Sequence, residues 1–209
     1  MAKSLFIVFE GLDGSGKGEM IKRLCGYLSA ISANLNIRVT AEPSSGVYGK
    51  KIREILQKDR NPKSRGAELL DLYVKDRKEH VEKEITPFLK AESGNKATVI
   101  ICDRYYYSTI AYQGLQGIPI KELLEKNNDF PKPDIAFILD VPAEVALQRI
   151  SRARPKTEKF EEIKFLAGLR NAFLSLQGKV QDNLKIIDAD REPEKVFEDI
   201  KKEVDALLK

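Results

Sequence analysis

The sequence predicts an α/β fold built on a five-stranded parallel sheet with helices on both faces. Three observations carry this expectation. Five short apolar runs are rich in β-branched or aromatic residues, the segments between them have helical spacing, and the connections are long enough to hold crossover helices. The runs are Leu5 to Phe9, Ile37 to Ala41, Thr98 to Cys102, Ile135 to Asp140 and Lys185 to Ile187. They are continuous rather than alternating, which reads as strands buried on both faces.

The helical segments follow in order. Ile21, Leu24, Cys25 and Leu28 fall at i, i+3, i+4, i+7, and Ile52, Ile55 and Leu56 repeat the pattern further on. Longer stretches run from Gly66 to Glu92, interrupted near Thr86-Pro87, then Ala143 to Ser151, Phe160 to Gln181 and Pro193 to Leu208. Asn127 to Pro133 reads as a surface loop. No internal repeat, low-complexity tract or linker divides the 209 residues, so one domain spanning residues 1–209 is expected.

Composition narrows the function classes. The chain is 42% hydrophobic and 33% charged, which suits a packed soluble domain and excludes a disordered tail. No apolar stretch is long enough for a membrane span, and Met1 to Ser4 run directly into an apolar strand, so neither a membrane anchor nor a signal peptide is expected. Cys25 and Cys102 are the only cysteines and belong to no Cys/His cluster, which leaves no material for a disulfide scaffold or zinc site; a reducing cytoplasm is the expected location. The formal charge of +4 is spread along the chain, too small and too dispersed for a nucleic-acid partner.

Directly after the first strand comes Gly11-Leu12-Asp13-Gly14-Ser15-Gly16-Lys17-Gly18, followed by helical spacing from Glu19 onward. This is a Walker A loop. Its glycines let backbone N–H groups converge on phosphate oxygens, the next helix points its positive end into the same nest, and Lys17 adds a mobile charge. One position departs from the pattern. The Ser or Thr whose hydroxyl ligates Mg²⁺ is here Gly18. Water, Glu19 or Asp103 could take the place of that hydroxyl, or the chain could bind nucleotide with impaired turnover.

Later segments complete a pattern. Phe9 to Lys17, Thr40-Ala41-Glu42-Pro43, Asp76-Arg77-Lys78-Glu79-His80, Asp103-Arg104-Tyr105 and Ser108 to Gly114 together resemble the thymidylate kinase family, in order and spacing, from about residue 4 to residue 189. The resemblance implies a P-loop NTPase-type fold with a short lid at about residues 149–160, and transfer of a phosphoryl group from ATP to dTMP with Mg²⁺. It also implies a homodimer built through the long helices. Gly11, Asp13, Gly14, Ser15, Gly16, Lys17, Gly18, Glu19 and Arg149 fall at its nucleotide-binding positions. Asp13, Glu42, Tyr73, Arg77, Arg104, Thr109 and Tyr112 fall at its acceptor positions, with Arg77 as a second acceptor-phosphate arginine beside Arg104, Tyr73 against the base, Thr109 and Tyr112 at the base edge and sugar, and Asp13 and Glu42 nearest the sugar.

Physical roles agree with these positions. Asp103 and Arg104 follow an apolar strand, so they emerge at the carboxyl end of a parallel sheet, where such sheets bind ligands. Asp103 there suits Mg²⁺ or its waters, and Arg104 suits bidentate capture of an acceptor phosphate. The loop itself holds no Arg, so a transition-state arginine must come from the lid, where Arg152 and Arg154 are the candidates. His80, the one histidine, is expected on a surface-leaning helical face and receives no catalytic role. The family usually has Arg before Glu-Pro; Ala41 stands there, removing one charge contact near the acceptor. A kinase for another nucleoside monophosphate is the neighbouring alternative.

Overall fold

The computed structural model describes residues 4–58, 65–90, 97–150 and 156–208, with side chains for all of these except 156–161. Five strands form one sheet: β1 (Leu5–Gly11), β2 (Leu35–Ala41), β3 (Ala97–Asp103), β4 (Ile135–Asp140) and β5 (Leu184–Asp188). Their order is β2-β3-β1-β4-β5 and each neighbouring pair is parallel. The chain starts in the middle at β1, steps out to β2, returns through β3 and then crosses β1 to reach β4. That reversal opens a crevice at the carboxyl ends of β1, β3 and β4.

The helices are α1 (Lys17–Ile31), α2 (Val47–Lys58), α3 (Gly66–His80), α4 (Thr86–Lys90), α5 (Tyr106–Leu115), α6 (Ile120–Asn127), α7 (Ala143–Ile150), α8 (Lys156–Leu174) and α9 (Pro193–Leu208). Two groups of them pack on the sheet, α1 with α9, and α5 with α3, α6 and α8. All seven residues of β1 are therefore buried, as are the middles of β3 and β4. In α1 the buried face carries Ile21, Leu24 and Leu28 of the expected stripe together with Met20, while Cys25 is only partly buried.

Four local expectations are corrected. β2 is an edge strand, not a buried one: it pairs only with β3 among the described residues, and Val39 is 51% exposed. The interruption near Pro87 does not break the helix. Val81–Ile85 form a π-helical turn in which Thr86 N–H bonds Val81 O, five residues back, and the axis continues through α4. Pro87 has no N–H to give and crowds the preceding turn, and the wider π spacing just before it accommodates this. α8 ends at Leu174, followed by a 3₁₀ turn, Ser175–Gly178. α6 was absent from the sequence reading, and Asn127, expected in a surface loop, is its buried last residue.

Because β4 is interior and β2 is an edge, equal truncations in the two strands have unequal effects. Phe137→Ala removes a fully buried ring that packs 5.3 Å from the Phe9 ring and is expected to cost about 3–5 kcal/mol in urea unfolding. Val39→Ala is expected to stay within about 1 kcal/mol, since half of that side chain is already in solvent.

Candidate active site

Between β1 and α1 the chain wraps with Gly11, Gly14 and Gly16 at φ of 132°, 78° and 96°. A Cβ on Gly11 would lie 2.6 Å from the carbonyl oxygen of Leu139 on β4, and one on Gly14 2.5 Å from that of Ala146 on α7. The loop is thus wedged against backbone on two sides, and glycine is required by space as well as by φ. Lys17 folds back over it, donating to Gly11 O at 3.2 Å and Leu12 O at 3.0 Å, and sits 4.0 Å from Asp13 Oδ1. Burial, and then the Arg104 charge, lower the Lys17 pKa to about 8 against the opposing pull of Asp103, Asp13 and Glu10. An ammonium with displaceable carbonyl partners is suited to phosphate oxygens.

At the end of β3, Arg104 takes φ 69° and its N–H bonds Phe9 O at 2.8 Å. Its guanidinium donates to Asp13 Oδ1 at 2.6 Å and to Ser108 Oγ at 2.9 Å, and lies 5.7 Å from the Tyr112 ring centroid. Ser108 in turn donates to Glu10 Oε2 at 2.6 Å, while Glu10 Oε1 accepts the N–H groups of Tyr105 (2.8 Å) and Ser108 (3.1 Å). Glu10, fully buried on β1, thereby supplies from the sheet the acceptor that the first turn of α5 lacks locally. Burial pushes its carboxyl above the usual range.

The residues fit a magnesium site of the kind completed by nucleotide phosphates and water. Asp103 Oδ1 is buried with no hydrogen-bond partner, an anionic oxygen of the type Mg²⁺ favours. No cluster of three metal-binding side chains exists among the described residues. Of the substitutes for the missing hydroxyl, Glu19 is engaged elsewhere: Arg23 Nε bonds it at 2.7 Å and bridges to Glu194 of α9 at 3.0 Å. Gly18 is exposed, and a Cβ there would meet nothing within 4 Å.

Asp13 and Arg104 open into a cavity of about 730 Å³ whose wall includes Tyr73, Thr109, Tyr112 and Phe165. Tyr73 is half-buried there, and burial pushes its hydroxyl up to about 12. Arg77 lies on the cavity floor, fully buried, and its donors are occupied: Nε by Glu42 Oε2 at 2.9 Å, Nη2 by Thr109 Oγ1 at 3.0 Å and Nη1 by Asn127 Oδ1. Glu42 is itself buried and holds His80 as well, Nδ1 to Oε1 at 3.2 Å. His80 is 3% exposed, so the surface-leaning expectation is corrected; partners on β2 and at Glu42 draw this face of α3 inward.

The arginines of the expected lid divide. Arg149, on α7, reaches Gly14 O at 3.3 Å and Asp190 at 3.9 Å, beside the phosphate loop. Arg152 and Arg154 lie outside the described residues. Side chains that the sequence reading left without a role also belong to the site. Glu10 and Asn127 stand behind the cavity, bonded to Ser108 and Arg77, and its wall includes Ser108, Gln113, whose Oε1 is buried and unpartnered, and Tyr105, whose hydroxyl is likewise. Gln113 stands within the quoted Ala-Tyr-Gln-Gly segment, the one signal that could have found it. α8, which brings Phe165 to the cavity, is tied to the end of β4 by a two-bond pair of Arg170 with Asp140, at 2.6 and 2.8 Å.

Comparison with known proteins gives the family. The family model described as thymidylate kinase matches residues 9–200. The chain is 40% identical over 204 residues to the thymidylate kinase of Desulfotalea psychrophila, covering 97% of this chain and 95% of that one. It is 36% identical to the probable thymidylate kinase of Staphylothermus marinus, with 94% and 92% covered, and 34% identical to the thymidylate kinase of Xylella fastidiosa strain M12, with 92% and 83% covered. The five-stranded parallel sheet with helices around it is thus that of a P-loop NTPase-type fold, and the chain belongs to the thymidylate kinase family.

Proposed function

We propose that the chain transfers the γ-phosphoryl group of ATP to the 5′-phosphate of dTMP, giving ADP and dTDP. The observation that carries this is the 2.6 Å pair between Asp13 of the phosphate loop and Arg104 at the mouth of the cavity. It makes the donor-phosphate loop and an acceptor pocket one continuous space. The departures at Gly18 and Ala41 do not favour an inert nucleotide-binding protein, since Asp103 retains a buried unpaired oxygen and Arg104 its place at the pocket mouth.

In this reading Lys17 and the loop amides hold the donor phosphates, and Arg104 exchanges Asp13 for the acceptor phosphate, cancelling repulsion between two anions. Bound Mg²⁺, held through Asp103 and water, would neutralise charge on the donor phosphates. Tyr73 offers a ring to the base. Thr109 and Gln113 offer a hydroxyl and an amide to its edge, and Asp13 and Tyr112 lie toward the sugar; Arg77, expected as a second acceptor-phosphate arginine, is instead taken up on the cavity floor by Glu42, Thr109 and Asn127. Glu42 acts through Arg77, whose Nε and Nη2 it holds. Arg149, with Arg152 and Arg154, would spread positive charge over the migrating group. Catalysis is then positioning and electrostatics, with no side-chain base. Homodimer formation and a cytoplasmic location belong to the same proposal and rest on the resemblance.

ADP formation with ATP, Mg²⁺ and a panel of acceptors tests the assignment. dTMP is expected to be preferred over UMP, CMP and dGMP; preference for any of these would refute it. Arg104→Lys, which keeps the charge and loses the planar fork, is expected to lower kcat/KM for dTMP by about 10²-fold.

The depressed Lys17 pKa of about 8 sets a pH dependence. Below it the side chain is cationic and attracts phosphate; above it the charge is lost. ADP affinity measured by calorimetry is expected to fall as pH rises through about 8, and the fall is expected to flatten in Lys17→Ala, whose affinity is already low.

A further inference from the structure

We propose that His80 is a positioning residue for the acceptor pocket, acting through Glu42 on Arg77; this rests on the dTMP kinase reading above. The carboxylate plane of a glutamate is set by a terminal torsion with a broad energy profile, so its own chain does not fix it. In the structure each oxygen of Glu42 has a separate holder. Oε2 takes Arg77 Nε at 2.9 Å and Nη2 at 2.7 Å, and Oε1 takes His80 Nδ1 at 3.2 Å. The far side of the imidazole is fixed as well, with Nε2 2.7 Å from Thr40 Oγ1 on β2. A carboxylate is an acceptor, so Nδ1 carries the hydrogen toward Glu42; Nε2 faces the Thr40 hydroxyl, with Glu84 Oε2 3.7 Å from it.

The chain of contacts therefore runs from β2 through His80 and Glu42 to the guanidinium on the cavity floor. The Arg77 guanidinium lies over the Tyr105 and Phe130 rings, at 5.2 and 5.6 Å, which restrict its plane but not its rotation within that plane. Glu42 shares the in-plane restraint with Thr109 and Asn127 and is the one charged member, and His80 keeps Glu42 from turning. His80 is also the last residue before the π-helical turn at Val81–Ile85, a feature frequent at functional positions. Without His80, Oε1 is left buried with no partner and the carboxylate can rotate to share Arg77 differently. The acceptor site loses its preset geometry, while the hydrogen bonds and ion pairs described for Lys17 and Asp13 of the donor loop run to Gly11, Leu12, Arg104 and each other and not to Glu42, Arg77 or His80.

The test compares three variants of the full chain by steady-state kinetics and by calorimetric dTMP binding without ATP. His80→Phe keeps ring volume and removes both polar atoms; it is expected to raise KM and Kd for dTMP about 10-fold, with kcat and KM for ATP within about 2-fold. His80→Asn restores a donor toward Glu42 and is expected to recover most of that loss. Thr40→Val, a milder loss on the other side of the ring, is expected to raise dTMP KM about 3-fold. An unmoved dTMP KM in His80→Phe, a proportional fall in all parameters, or no recovery in His80→Asn would overturn the proposal. If His80→Phe does not fold, Thr40→Val decides: an unchanged dTMP KM overturns it. Wild-type turnover is the control, since its absence would overturn the functional reading and this inference together, whereas an active wild type with unmoved variants overturns only the role of His80.

Discussion

Arg104 leaves β3 in a left-handed backbone conformation that a non-glycine residue adopts at a cost of about 1–2 kcal/mol. The rest of the site depends on that turn being held. Its N–H is anchored to Phe9 on the neighbouring strand, and the helix that follows it is anchored by Glu10 of the same strand. Two consecutive residues of β1 thus fix the start of α5, and β1 runs directly into the phosphate loop. The phosphate loop and the mouth of the cavity are built from one strand end. The guanidinium is then aimed by Ser108 and Asp13, and no flexible loop intervenes between the groups that must meet.

Below that pair lies a second buried polar layer. Arg77, Glu42, His80, Asn127 and Thr109 are each less than 6% exposed and satisfy one another. Buried ion pairs seldom add net stability, because desolvation consumes the Coulombic gain. What such a layer does provide is geometry: removing one member leaves the others buried and unpaired, which disfavours alternative arrangements. The layer also joins distant segments. Glu42 follows β2, Arg77 and His80 belong to α3, Thr109 to α5 and Asn127 to α6, so four parts of the chain converge under the acceptor cavity.

The elements around β1 were legible because their signals are local. A Walker A loop between an apolar strand and a helical stripe needs no tertiary information, and Asp103-Arg104 after an apolar strand could be placed at the carboxyl edge by topology alone. The misreadings share a different origin. α3 buries Asp76, Arg77 and His80, so a reading that sends charged residues to solvent turned His80 outward; its partners lie 38 and 40 residues away and leave no local trace. α6 spans eight residues, too few for periodicity to stand out, and follows Gly117 and Pro119, which punctuate it as a loop. β2 has the apolar composition of a buried strand but an edge position, which only the pairing order reveals. Glu10 and Gln113 were quoted within motifs, yet their tasks depend on which backbone or cavity they face.

The glycines of the phosphate loop differ in what they leave open to later change. At Gly11 and Gly14 any side chain would collide with the backbone of β4 or α7, and those positions are closed. At Gly18 there is open space, and no unusual φ is required. A hydroxyl-bearing residue could enter there without disturbing a neighbour. The departure that sets this chain apart from the usual loop therefore sits where drift meets no steric resistance. A single substitution there changes the chemistry of the loop without touching its shape, whereas one at Gly11 or Gly14 changes the shape itself.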